Sequence, residues 1–82
     1  MGGVNRDVQT LREAIAQTLP GAEIEVQPGA GPGHFAIRVR SGSFQGKSLL
    51  QQQQLVYSAI KHLMGGEAPP VHAIDRLQTE SM

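Results

Sequence analysis

The chain of 82 residues has seven basic and seven acidic side chains and no cysteine. This length supports one small domain that buries roughly 60% of its unfolded surface, which leaves little room for a deep active site. The balanced charge excludes a general attraction to nucleic-acid phosphates, and the lack of thiols excludes disulfides and all-cysteine metal sites. We therefore expect a non-enzymatic binding module over residues 1–82, with its core at about residues 5–79.

The sequence contains no signal for a membrane protein. No apolar run approaches the roughly 20 residues that span a bilayer, and the amino terminus lacks the basic and apolar regions of a signal peptide. We expect an intracellular protein without membrane contact, cytoplasmic unless a removed transit peptide directed it to a mitochondrion or another organelle.

The first predicted element is an amphipathic helix. Asn5 is the predicted cap of its first turn, Asp7 lies in that turn, and Pro20 with Gly21 ends the helix. Its apolar side chains recur at helical spacing and should face the core: Val8, Leu11, Ile15 and Leu19.

Two strands are predicted next, joined by a hairpin. Residues 22–27 alternate between apolar and polar side chains, as in a half-buried strand. Residues 28–33 contain only proline, glycine and alanine, which predicts a mobile hairpin loop. Residues 34–40 alternate again, with Phe35 and Ile37 directed to the core and His34 on the opposite face.

Residues 47–64 have helical periodicity. The predicted apolar stripe is Leu49, Val56, Ile60 and Leu63, widened by Leu50, Tyr57 and Met64. Four glutamines at positions 51–54 interrupt it, which we interpret as a short helix leading into a longer one. Residues 71–79 predict a third strand, although Asp75 breaks its alternation.

These elements predict an α+β fold of two layers, in which helices cover one face of a three-stranded mixed sheet in the order α-β-β-α(α)-β. The second and third strands form a β-α-β unit, so they should be parallel. His34 and His72, which each open one of these strands, should then lie at the same end of the sheet.

Four short motifs occur in a particular order and spacing. They are His34-Phe35, Phe44-Gln45-Gly46-Lys47, Leu55-Val56-Tyr57 and Val71-His72-Ala73-Ile74. In these motifs and their intervals the chain resembles the BolA family, whose fold is similar to a type II K-homology domain.

The resemblance implies a partner of monothiol glutaredoxins in iron-sulfur cluster trafficking, maturation or iron-dependent regulation. The two proteins hold a two-iron, two-sulfur cluster between them, with thiolates from glutaredoxin and glutathione and an imidazole from the position of His72. The isolated chain would hold no cluster. We assign Arg38, Lys47 and Ala73 to the partner surface.

The second ligand from this chain is predicted to be His34. Many family members carry another histidine or a cysteine in the first hairpin loop, whereas residues 28–33 have neither. The alternative for His34 is a strand-edge histidine that only hydrogen-bonds nearby backbone. Since an imidazole must be neutral to bind metal, we expect cluster retention to weaken below about pH 6 to 7.

Two other functions stay open. A nucleic-acid-binding transcriptional regulator would use Gln52, Gln53, Gln54 and Lys47, although the family commonly has Arg-His-Arg where this chain has the three glutamines. Arg38, Arg40 and Lys47 would then form a modest basic patch; the alternative is a solvated strand face and turn. A structural interaction module would use an exposed sheet edge, which also allows a homodimer. His62 is predicted to be a surface residue.

Overall fold

The computed structural model describes residues 3–67 and 69–82. Two helices cover one face of a three-stranded sheet, which confirms the α+β class and the predicted order of elements. The elements are α1 (Gly3–Thr18), β1 (Glu23–Pro28), β2 (His34–Ser41), α2 (Leu49–Ile60) and β3 (Ala73–Ser81), with 3-10 turns at Gly42–Phe44 and Lys61–Leu63. No helix in the described ranges is long and apolar enough to cross a bilayer.

The central strand of the sheet is β2. It pairs antiparallel with β1 and parallel with β3. The parallel pairing follows from the helical connection through α2, because a strand that follows such a crossover re-enters the sheet in the same direction. The amino-terminal ends of β2 and β3 therefore lie side by side, with His34 paired to Ala73.

The core lies between the sheet and the helices. Phe35, Ile37 and Val39 point into it from β2 and are buried, as the alternation predicts. Phe44 is fully buried beyond the end of β2 and anchors the turn before α2. The remaining buried apolar side chains are Leu11, Ile15, Leu19, Val26, Val56, Ala59, Ile60 and Val71.

The predicted start of α1 is wrong. The helix already includes Gly3, so Asn5 lies inside it and is not its cap, and Asp7 lies beyond its first turn. Asparagine favours a cap by only about 1 kcal/mol, which is too little to end a helix whose backbone bonding can continue past it.

The predicted break in the second helix is also wrong. Leu49–Ile60 is one α-helix that contains all four glutamines, because glutamine is a good helix former even where it interrupts an apolar stripe. Leu49 and Leu50 are 60% and 64% exposed, and Tyr57 is also exposed. Val56 and Ile60 of the predicted stripe are buried as expected, together with Ala59.

Strand β3 begins at Ala73 and contains a β-bulge. Phe35 pairs with Ile74 but Ala36 pairs with Arg76, so Asp75 is an extra residue without a partner in the ladder. Ile74 and Leu77 are three positions apart, and regular alternation would put them on opposite faces. The bulge allows both to pack against the core.

Candidate functional site

Two histidines meet at the amino-terminal ends of β2 and β3. His34 is the first residue of β2, and His72 immediately precedes β3. The side chain of His34 is 39% exposed and His72 is also exposed. The predicted arrangement of the two histidines at one end of the sheet is confirmed, and both imidazoles are accessible from outside.

Gly33 connects the start of β2 to the start of β3 through hydrogen bonds. Its carbonyl accepts hydrogen bonds from the backbone N–H of His72, at 2.8 Å, and of Ala73, at 3.2 Å. The backbone of Gly33 has a φ of 76°, which side chains other than glycine rarely adopt. A β-carbon at this position would overlap Cδ2 of the His72 ring and lie 2.9 Å from its Cγ. Gly33 therefore provides the space in which the His72 ring lies.

Asp75, the bulge residue, belongs to the site although sequence reasoning did not assign it. Its Oδ1 lies 2.7 Å from Nδ1 of His34, and its Oδ2 accepts a hydrogen bond of 2.8 Å from the backbone N–H of Ala30. The hydrogen bond from Ala30, followed by that from His34, lowers the pKa of Asp75 below its usual value of 3.8. The only sequence signal for this residue is the break that it makes in the alternation of the third strand.

The contact with Asp75 determines which nitrogen of a neutral His34 ring carries the proton. An ionised carboxylate has no proton to donate, so Nδ1–H of His34 must be the donor. Nε2 then keeps its lone pair. In metalloproteins, a histidine ligand commonly donates its other N–H to a carboxylate in this way.

The hairpin loop between β1 and β2 spans residues 29–33, since Pro28 belongs to β1. The N–H of Gly29 donates to the carbonyl of His34 at 2.7 Å, and the N–H of His34 donates to the carbonyl of Gly31 at 3.0 Å. With the bond from Ala30 to Asp75, these contacts tie the loop to the histidine end of the sheet. This contrasts with the mobile loop expected from its composition.

The predicted basic patch is not present on the open face of the sheet. Arg38 contacts Glu80 at 3.0 Å and Glu25 at 3.8 Å, and Arg40 contacts Glu23 at 2.9 Å. The correction follows from sheet pairing, because β1 and β3 bring glutamates against both arginines. These arginines and glutamates form a ladder of alternating charges.

The other residues predicted for partner or nucleic-acid binding are spread over the molecule. Ala73 is half-buried beside His34, whereas Lys47 is exposed beyond the opposite end of β2. Gln52 is half-buried and engaged, because its side chain donates to the carbonyl of Lys47 and accepts from the hydroxyl of Thr79 at 2.8 Å. Gln53 is half-buried and Gln54 is exposed.

Two further observations concern metal binding. Within residues 3–67 and 69–82, no group of three or more histidine, cysteine, aspartate or glutamate side chains could hold a metal ion. The third histidine, His62, is exposed in the turn that follows α2, as predicted for a surface residue.

Comparison with known proteins relates this architecture to one family. The sequence model of BolA-like proteins matches residues 12–81. No curated protein matches the chain by sequence. BolA1 from Arabidopsis thaliana is 19% identical with a TM-score of 0.75, over 92% of this chain and 90% of that one, a likeness that concerns the fold alone.

Two other solved structures are similar at higher identity. The BolA domain of SufE1 from Arabidopsis thaliana is 27% identical with a TM-score of 0.73, over 90% of each chain. BolA1 from Mus musculus is 28% identical with a TM-score of 0.73, over 92% of this chain. The chain covers 64% of that mouse protein, less than two thirds of its length. Because the family model spans α2, all three strands and both histidines at their shared end, the chain belongs to the BolA-like protein family.

Proposed function

We propose that this chain is an accessory protein that binds a monothiol glutaredoxin and shares a two-iron, two-sulfur cluster with it, in cluster trafficking or maturation or in iron-dependent regulation. The observation that carries the proposal is the pair of accessible imidazoles, His34 and His72, at one end of the sheet. Membership of the BolA-like family supports it.

The residues at this end of the sheet fit such a group. Imidazole nitrogen is a common ligand of iron, and the contact with Asp75 leaves Nε2 of a neutral His34 free to bind. The chain itself has no cysteine. In the arrangement that the resemblance to BolA proteins implies, the remaining ligands would be thiolates from glutaredoxin and glutathione. When bound, the cluster would supply redox-active iron, and imidazole in place of thiolate raises its potential.

The other residues of this end would hold the imidazoles and contact the partner. The hydrogen bond from the N–H of His72 to Gly33 fixes the backbone from which its ring projects. Ala73 and the tied loop at residues 29–33 border the two rings and form the proposed contact surface. Arg38 and Lys47 would contact the partner only if its footprint extended along β2 toward the opposite end of the sheet.

The alternative role in nucleic-acid binding has less support. The side chain of Gln52 already bonds within the protein, and the two arginines of the open face are paired with glutamates. Phosphate binding needs positive charge that is available to the ligand. No observation on the described residues favours this role over the cluster role.

The test is to reconstitute the protein with a monothiol glutaredoxin, glutathione, iron and sulfide, and to record visible absorption and circular dichroism. The wild-type complex should give spectra that differ from those of glutaredoxin alone, since imidazole replaces a thiolate on iron. His72→Ala should lose this difference, and His34→Ala should change it.

His62→Ala is the matched control, because it removes the one other histidine of the chain from an exposed position. Its complex should keep the wild-type spectra. Spectra identical to those of glutaredoxin alone for every variant and for the wild type would overturn the proposed function.

A further inference from the structure

Asp75 is the extra residue of the β-bulge in β3. It has no partner in the ladder between β2 and β3, so its side chain is free to turn toward the loop and the first residue of β2. Each of its two oxygens has a different partner, Nδ1 of His34 and the N–H of Ala30. Two anchors of this kind fix the orientation of the carboxylate.

The loop is built closely around this carboxylate. A β-carbon at Gly29 would lie 2.5 Å from Oδ2 of Asp75 and 3.0 Å from the backbone at His34 and Phe35. A side chain at this position would require the carboxylate or the loop backbone to move. The carboxylate, the loop and the imidazole therefore form one connected unit at the end of the sheet.

We propose that Asp75 is a positioning residue that keeps neutral His34 in the tautomer protonated at Nδ1, so that Nε2 presents a lone pair to iron. The inference rests on the proposed function for the identity of the metal, but the tautomer itself is a property of the protein alone. A carboxylate that donates no proton can accept only from a protonated Nδ1.

Asp75→Asn tests the proposal with little change in size. The amide has one acceptor oxygen and one donor nitrogen. If the oxygen continues to accept from Ala30, the NH2 group faces His34 and must donate to an unprotonated Nδ1. The ring proton then moves to Nε2, which can no longer bind metal in its neutral form.

The first measurement is the two-bond proton–nitrogen correlation spectrum of the histidine rings in the isolated protein, at about pH 8, where imidazoles are neutral. The His34 signals are assigned with His34→Ala. In the wild type, Nε2 should have the nitrogen chemical shift of an unprotonated ring nitrogen. In Asp75→Asn, Nδ1 should have that chemical shift instead. Glu80→Gln, which neutralises another exposed carboxylate of β3, should leave the His34 signals unchanged.

Two results in this experiment would overturn the proposal: wild-type His34 protonated at Nε2, or an unchanged tautomer in Asp75→Asn. Neither result depends on a cluster, so they are distinct from a failure of the proposed function.

The second measurement repeats the reconstitution with glutaredoxin. Asp75→Asn should give the altered spectrum of His34→Ala. Asp75→Glu should recover part of the wild-type spectrum, since a carboxylate is restored. A wild-type spectrum in Asp75→Asn, despite a switched tautomer, would overturn the role of Asp75 toward the metal.

Discussion

At the scale of single residues, Gly33 determines the space around the His72 ring. Gly33 combines a φ of 76° with a close approach to that ring, and its carbonyl bonds to the backbone of His72. The same loop contains Gly31, which has an ordinary φ and open space where a side chain would be. The two glycines provide a matched pair.

Gly33→Ala is expected to destabilise the protein by about 1 to 2 kcal/mol, because alanine is strained at this φ, and to displace the His72 ring. Gly31→Ala should be neutral or slightly stabilising, since it only reduces the freedom of the unfolded chain. Urea denaturation of both variants measures the difference. Equal stabilities would show that the Gly33 conformation is not required.

Asp75 predicts a pH dependence of stability. Hydrogen bonds lower its native pKa below the 3.8 of an unperturbed side chain, so the unfolded state takes up the proton first as the pH falls. The stabilisation that its charge provides is therefore complete well above pH 3.8 and is lost as the pH falls through the native pKa.

The measurement compares the free energies of unfolding of the wild type and Asp75→Asn, by urea denaturation between about pH 7 and pH 3. Their difference should be constant in the upper part of this range and should shrink toward its lower end. A difference that stays constant down to about pH 3 would contradict this role of the carboxylate.

At the scale of elements, the start of α2 is fixed by a capping box. The hydroxyl of Ser48 accepts from the N–H of Gln51, and the side chain of Gln51 accepts from the N–H of Ser48. These bonds satisfy two backbone donors that a helix end otherwise leaves without partners. They also give the first of the four glutamines a role in starting the helix.

Ser48→Ala should lower the free energy of unfolding by about 1 kcal/mol through loss of the cap. Ser58→Ala is the control, since Ser58 is exposed inside the same helix, where alanine is favoured. Its effect should be at most a few tenths of a kcal/mol in either direction. A similar loss in both variants, measured by urea denaturation, would argue against the cap.

The elements differ in how far the sequence predicts them, and the reason is physical. The faces of β2 follow from local alternation, so Phe35 and Ile37 are predicted correctly. The exposure of Leu50 depends on how α2 is rotated against the sheet, which no local pattern contains. Asp75 acquires its partners only through the pairing of β3 with β2. The sequence therefore shows only that Asp75 breaks the alternation of the third strand, and not which residues it contacts.

At the scale of the whole molecule, charge is balanced both in total and locally. The chain has a formal net charge of zero, and the arginines of the open sheet face lie against glutamates of the neighbouring strands. The pairing of β2 with β1 and β3 places these glutamates, so the predicted patch of Arg38, Arg40 and Lys47 is wrong for its two arginines. A surface of this kind offers little attraction to a polyanion.

Binding to duplex DNA should accordingly be weak and nearly independent of salt. Each phosphate neutralised by a protein adds about −0.9 to the slope of log affinity against log salt concentration. Fluorescence anisotropy with a labelled duplex, between about 50 and 200 mM salt, should give a slope near zero. A steep negative slope with measurable affinity would revive the nucleic-acid function.

The bulge has a consequence for changes in chain length. Asp75 is surplus to the ladder, so a chain lacking it would pair Ala36 with Arg76 and Ile37 with Leu77 as before, in an unbroken strand. Removal of a later residue such as Gln78 would instead turn the rest of β3 over and direct Glu80 toward the core. Residue 75 is thus a position where a single-residue deletion would remove the hydrogen bond from Ala30 to the carboxylate and leave the core alignment intact.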